Sequence, residues 1–554
     1  MKMRNKLLAT LLVGAMTVVS ITGCGNADAE ASNKTSTVES AQQKEESKAS
    51  QNSTEKAEES TEITYPLDGN ETVTFWAPLI ANIASVTDNM GNTPFAEELE
   101  KRTGVEIEFV HPTAGQNNES LALMIASDEL TDIVFTDWTS YKGGPVQAIN
   151  EEVIIDISKY KEYAPNYFKF LSENPEYDRA AKTDDGAYYG FVGIQDGGKL
   201  LAVMGPALRK DWLDELGLEM PETVSDWENI LTAFKEKKGA TAPFSFSYNT
   251  YKSVVFSMFE ARWDVYVKNG EAVYGPAQPE FKKALETLND WYNKGLLDKN
   301  LFAVDKATID SQVLNDVTGA IVGHGGSGIG TYQLAGLEKN PNFSMMAAKL
   351  PTYEEGKVSS AAKINAPVSG AMAITTSCKN PELAIAMLDY LYSEEGRLLT
   401  NYGVEGLTFT YDENNVPKYT DLITNNPDGL SMSQALGQYV LAGNGAMAFV
   451  QDEGYIEQYY NYPEQIATFT TWAENVEGAL AETMPPITPT SEESEEYATI
   501  MSNVNQHRNE MVIKFINGTE PIEKFDEYVN TLNKFGLERA VEIYNDALAR
   551  YYDR

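Results

Sequence analysis

The sequence predicts an α/β protein with doubly wound sheets in more than one domain. Three observations carry this. Short apolar stretches alternate with amphipathic ones in the order strand, helix, strand, helix, strand. About 490 residues follow position 63, enough for two typical domains or three. With 42% hydrophobic and 10% aromatic residues, the chain can fill real cores.

Glu71 to Pro78 opens the body: Val73 and Phe75 alternate with Thr72 and Thr74 as in a strand, and Pro78 stops it. Asn92 to Arg102 reads as a helix, with Thr93 as cap, Pro94 in the first turn and Phe95, Ala96 and Leu99 on one face. Thr103-Gly104 ends it, and Val105 to Val110 alternates as a second strand. Leu121 to Ala126 is helical, and Asp132 to Phe135 is a strand of the buried type. In open α/β sheets ligands bind beyond the carboxyl ends of strands. Trp76 and the pair Asp137-Trp138 lie at two such ends, where each tryptophan is either a ligand contact or a half-buried packing residue. Asp184-Asp185-Gly186 is a turn before the strand-like Tyr188 to Val192. Leu208, Trp212, Leu213 and Leu216 form a helical stripe stopped by Gly217. Ser225 to Glu228 reads as a capping box, opening a helix that carries Ile230, Leu231 and Phe234.

Several chemistries are excluded. A net charge of -39 leaves nothing to neutralise phosphates, so no nucleic acid is expected. The two cysteines, Cys24 and Cys378, allow no disulfide framework, CxxC pair or Cys-based zinc site. His111, His324 and His507 stand in unrelated contexts, and HExxH, GxSxG and Walker motifs are absent. Asp298 to Asp310 has scattered carboxylates without an EF-hand loop pattern. No cofactor, metal site or catalytic residue is therefore expected. A glycosidase would need two carboxylates ~5–10 Å apart, which 82 Asp and Glu leave open. Cys378 precedes a helix start, where a thiolate is favoured, but free cysteines usually act as buried small hydrophobes. It is read as structural.

Lys2, Arg4 and Lys6 precede a mostly apolar run from Leu7 to Thr22, sixteen residues long. A membrane span needs about 20, so this is a signal peptide, residues 1–23. Ile21-Thr22-Gly23-Cys24 resembles the lipobox of bacterial lipoproteins. That resemblance implies cleavage before Cys24 and its acylation, an anchor of two or three chains. Residues 24–62, rich in Ser, Thr, Glu, Lys, Ala and Gln, read as a flexible tether or a disordered interaction tail.

RKDWLDELGLEMPETVSDWENILTAFKEKKG resembles the middle of the extracellular solute-binding proteins (family 1) of ABC sugar importers. LEKRTGVEIEFV, MIASDELTDIVFTD, ALETLNDWYNKGLLDKN, CKNPELAIAMLDYLYSEEGRLLTNYGVEG and the stretch from Phe515 to Tyr552 resemble further segments in the family's order. The likeness spans nearly all of 70–554 and is strongest to the LplA-like Gram-positive lipoprotein branch. It implies a two-lobe, periplasmic-binding-protein-like fold of type II with a multi-segment hinge. Lobe 1 would be 63–195 with 366–484 returning to it. Lobe 2 would be 196–365 with 485–554 as C-terminal helices. Hinge crossings are expected near 190–203, 348–367 and 484–489. The implied function is a monomeric receptor on the outer face of a Gram-positive cell membrane, held by its lipid anchor only. It would capture an oligosaccharide by lobe closure and deliver it to ABC permease subunits, without catalysis. The alternatives are a peptide or another small polar solute as cargo, and more remotely a surface glycoside hydrolase.

A sugar site needs flat aromatic faces and planar hydrogen-bonding groups. Trp212, Trp227 and Trp291 lie on helical stripes and read as structural, whereas Trp76, Trp138, Trp263 and Trp472 do not. Arg262 and Asp264 flank Trp263 just before the Asn269-Gly270 hairpin, near a position where relatives present an aromatic residue to the cleft. GAIVGHGGSGIGTY, Gly319 to Tyr332, has glycines where maltodextrin-binding relatives carry a stacking aromatic. His324 and Ser327 could hydrogen-bond a ligand there, or the run is a glycine turn at a helix start. The expected ligand-binding set is Trp76, Asp137, Trp138, Arg262, Trp263, Asp264, His324, Ser327 and Trp472.

Overall fold

A computed structural model describes residues 63–68, 71–443, 447–460 and 462–554, all within one compact unit, Ser60–Arg554. The expected signal peptide, Cys24 and the whole span 24–62 lie outside the described residues.

The chain first lays down β1 (Thr72–Trp76), β2 (Glu106–Val110), β3 (Ile133–Thr136) and β4 (Phe191–Asp196) in one sheet. It passes to a second sheet with β5 (Met204–Arg209) and β6 (Phe244–Ser245), and adds a hairpin, β7 (Val265–Lys268) and β8 (Glu271–Tyr274). Strands β9 (Ala320–His324) and β10 (Met345–Ala347) complete the second sheet. The chain returns as β11 (Val368–Ile374), forms the hairpin β12 (Phe409–Tyr411) and β13 (Pro417–Tyr419), and ends the first sheet with β14 (Val450–Asp452). The sheet orders are β14-β4-β11-β3-β1-β2 and β10-β5-β9-β6. β11 runs antiparallel to β3 and β4, while the other pairs of the first sheet are parallel. The carboxyl ends of β3 and β4 therefore meet the start of β11 at one edge.

Local chemistry sets the elements. Thr93 Oγ1 accepts from the Ala96 N–H at 3.2 Å, Pro94 fills the first turn, and Gly104 closes helix Pro94–Thr103 at φ +78°. The box that opens helix Val224–Lys237 is Thr223 with Asp226, two residues before the expected Ser225 with Glu228. Thr223 Oγ1 accepts from Asp226 N at 3.1 Å, and Asp226 Oδ2 accepts from Thr223 N at 2.9 Å. Arg209 explains the RKDW stretch. It is 2% exposed, forks onto Asp211 at 2.8 and 2.7 Å, reaches Asp316 at 2.6 Å, and lies against the rings of Trp212 and Phe343. A charge that deep persists only when paired.

Two cores form. Phe75, Ile133, Val134, Phe191, Ile374 and Leu388 belong to the first, and Leu208, Trp227, Phe234, Phe244, Trp291 and Val322 to the second. Helices Ser491–Ile516, Phe525–Lys534 and Leu537–Tyr552 add Phe515, Tyr528, Leu532, Leu537 and Ala540 to the second. The chain passes between the sheets at 197–203, 348–367 and 453–462. After β14, helix Pro463–Ala473 packs beside β10, so this segment joins the second sheet although 366–484 was expected to stay with lobe 1. The cause is a fit between Trp472 and Gly205. A Cβ at 205 would collide with the ring, whose Nε1 donates to Pro206 O at 3.3 Å.

Burial pushes the Cys378 thiol up to about 12, so no thiolate forms at neutral pH despite the helix start. Burial also pushes the Asp389 carboxyl up to about 6, although Tyr167 N (2.8 Å) and Asn166 Nδ2 (2.7 Å) donate to it. The folded state then holds its proton where the unfolded chain, at about 3.9, has lost it. Stability from this residue is full below about pH 4 and is lost as pH rises through about 6. The loss amounts to about 3 kcal/mol. Asp389→Asn should flatten the stability curve between pH 4 and 6.5 in denaturant titrations; parallel curves for variant and wild type would contradict this.

Candidate functional site

The edge where β3 ends and β11 begins holds a cavity of about 380 Å³, a size typical of small-ligand sites. Asp137 and Trp138 form one side, residues 366–370 a second, and Thr483 to Pro486 a third. Tyr177, Tyr189 and Tyr551 complete an aromatic lining. A smaller cavity of about 150 Å³ adjoins it, sharing Thr483 and Met484, with Arg262, Trp263, Asp264 and Lys363 on its walls. One cavity lies against the first lobe and the other against the second. Residues 484–489, expected as the third crossing, begin along this shared wall, with Met484 and Ile487 packed on the β7–β8 hairpin, and the third passage between the sheets lies at 453–462 instead.

Each group is held for a local reason. Asp137 caps the turn Trp138–Ser140: its Oδ1 accepts from Thr139 N at 3.0 Å and Thr139 Oγ1 at 2.6 Å. Its other oxygen has no hydrogen-bond partner among the described residues. Trp138 is 1% exposed and packs on Tyr141, with its indole N–H buried and unpartnered among the described residues. Glu176 stands exposed in the first turn of helix Pro175–Ala181, where the helix dipole favours a carboxylate, and makes no hydrogen bond or ion pair to a described residue. Tyr177 stacks on Phe170 with planes 3° apart, and burial, with nearby Asp196 and Glu176, pushes its phenol up to about 12. Tyr189 donates to Ala180 O at 3.2 Å. The arrangement offers aromatic surface, chiefly from the half-buried Tyr177, for C–H groups and carboxylate oxygens for hydroxyl donors.

Asp137 and Trp138 thus come together in the larger cavity, and Arg262, Trp263 and Asp264 in the smaller. Arg262 is largely spent on the protein itself. It donates to Ala362 O at 3.2 Å, to Ser360 O and to Glu482 at 3.2 Å. The Trp263 ring belongs to the second core, packed on Phe256 and Phe281 with Arg508 at 4.6 Å. The remaining expected residues lie outside both cavities. Trp76 is 2% exposed in the first core, because β1 is an interior strand between β2 and β3. Trp472 fills the space at Gly205. His324 Nδ1 pairs with Tyr251 OH at 3.0 Å, and Ser327 is exposed. The glycines beside them make room for aromatic residues from elsewhere: Gly325 faces Phe469 and Gly326 faces Tyr460, rings stacked at 4.6 Å. Glu176, Tyr177, Tyr189, Met484 and Tyr551 were not anticipated; only Pro485-Pro486 marked this wall in the sequence. Among the described residues no group of three or more His, Cys, Asp or Glu could hold a metal, and no helix is long and apolar enough to cross a membrane.

The model for bacterial extracellular solute-binding proteins matches residues 91–398. The chain is 27% identical over 410 residues to Lipoprotein LipO of Bacillus subtilis, covering 70% of this chain and 75% of LipO. It is 29% identical over 265 residues to the fructooligosaccharide ABC transporter substrate-binding protein FusA of Streptococcus pneumoniae, 44% of this chain and 48% of FusA. Among solved structures, alginate-binding protein AlgQ2 superposes with a TM-score of 0.67 at 25% identity, over 89% of this chain and all of that one. The two-lobe fold is that of AlgQ2, and the matching family, FusA and AlgQ2 are described as solute-, substrate- and alginate-binding proteins, not as enzymes. This chain belongs to the bacterial extracellular solute-binding protein family.

Proposed function

We propose that this protein is a receptor that captures an oligosaccharide between its lobes and delivers it intact to the permease subunits of an ABC importer. Cys24 would carry the lipid that holds it at the outer face of the cell membrane, with 24–62 as tether, and the receptor would act as a monomer. The observation that carries this reading is the cavity that Trp138, Tyr177, Tyr189 and Tyr551 line together with Asp137 and Glu176, two carboxylates in no ion pair among the described residues. Aromatic faces beside fixed hydrogen-bonding groups suit a sugar ring better than a peptide backbone. The names of LipO and FusA support the anchor and the cargo class. Asp137, Trp138, Trp263 and Asp264 would contact the ligand, joined by Glu176 and Tyr177. Trp76, Trp472, His324 and Ser327 are not retained as contacts.

The test is a titration of residues 63–554 with an oligosaccharide panel, following tryptophan fluorescence and melting temperature, with the sugars then checked for cleavage. A true ligand at a hundred times its dissociation constant adds about 2.7 kcal/mol of stability. Stabilisation by peptides alone would overturn the cargo class; cleaved sugar would overturn the receptor role.

A further inference from the structure

The cleft carries a charge signature that the receptor reading leaves unused. Asp137 and Glu176 line the larger cavity, and no Lys or Arg does so among the described residues. Neither carboxylate is in an ion pair among the described residues. Arg554 and Arg179 lie over the Tyr551 ring without lining the cavity; Arg554 is bound to Asp184, whereas Arg179 is in no ion pair among the described residues. The smaller cavity adds Asp264 and one uncommitted ammonium, Lys363, since Arg262 is held by carbonyls and Glu482. Among the described residues, three carboxylates without an ion-pair partner thus line the two cavities, and Lys363 is the one lining cation without a partner.

Resting on the oligosaccharide reading, we infer that this cleft selects uncharged oligosaccharides and rejects carboxylated ones, with Asp137 and Glu176 as the specificity-determining pair. An ionised carboxylate only accepts hydrogen bonds, so it is matched by sugar hydroxyls and mismatched by a uronate. Like charges facing one another in a closing site are strongly unfavourable, because closure removes the water that screens them. Specificity built this way comes from repulsion as much as from attraction.

The test pairs each neutral trimer with its uronate counterpart: galactotriose with trigalacturonate, mannotriose with trimannuronate, cellotriose with its C6-oxidised form. Binding to residues 63–554 is measured by calorimetry at low and high salt. The neutral member of any pair that binds should be tighter by about tenfold or more, and high salt should narrow the gap. Asp137→Asn with Glu176→Gln should weaken the neutral sugar and bring its uronate partner closer to it, with folding checked by melting temperature. A uronate that binds as tightly as its neutral partner, or a gap unchanged in the double variant, overturns the inference and leaves the receptor reading standing. Binding of peptides but no glycan overturns the receptor's cargo class, and the inference with it.

Discussion

Asp184→Ala is expected to cost the folded protein about 3–5 kcal/mol, the usual price of stranding a buried charge. Asp184 sits in the turn ahead of β4 and is the anchor of two arginines. Arg554 Nε donates to its Oδ1 at 2.8 Å and Arg550 Nε to its Oδ2 at 3.0 Å. The Arg554 side chain is only 1% exposed and pairs with no other carboxylate side chain among the described residues. Its remaining donors go to Thr488 Oγ1 and Lys182 O. Helix Leu537–Tyr552 packs through Leu548 on the second-lobe hairpin strands β7 and β8, so these bonds tie a second-lobe helix to the first lobe beside Tyr551. The variant should lower the melting temperature and weaken ligand binding together, because the Tyr551 wall loses its tether. Replacing Asp184 and Arg554 together by Leu and Met should cost less than Asp184→Ala alone. If the single variant melts like the wild type, the tie contributes nothing.

Asp211→Ala should have a comparable effect within the second lobe. It removes both bonds of the Arg209 fork and leaves a guanidinium 2% exposed with only Asp316, itself 67% exposed, as partner. A loss of about 3–5 kcal/mol is expected, read as a lower denaturant midpoint by second-lobe tryptophan fluorescence. Asp211→Asn, which keeps one acceptor, should fall between. Equal stability of Asp211→Ala and wild type would mean that Asp316 and the Trp212 and Phe343 rings suffice to hold the charge.

What the sequence made legible was what periodicity and caps encode locally. Thr93, Pro94 and Gly104 bound their helix as read, because each acts through its own backbone. The capping box slid by two residues, since Thr-x-x-Asp and Ser-x-x-Glu overlap in one stretch and only the extended Thr223 decides between them. Asp137 and Trp138 were findable because strand ends in an α/β sheet have a geometric meaning. Tyr189, Met484 and Tyr551 were not, because they reach the same cavity from widely separated stretches of the chain and carry no shared pattern. Trp472 looked unoccupied by structure for the same reason: its partner is the missing side chain of Gly205. Arg262 looked available until its carbonyl acceptors, a hundred residues away, were in place.

The central claim is that an oligosaccharide lies between the lobes, against Trp138 and the 483–486 wall. Hydrogen–deuterium exchange with and without a binding oligosaccharide tests it most directly. The account predicts slower exchange in 137–144, 176–189, 261–266 and 366–370 together, segments drawn from both lobes and the hinge. Protection confined to one lobe, or absent at saturating sugar, would contradict it.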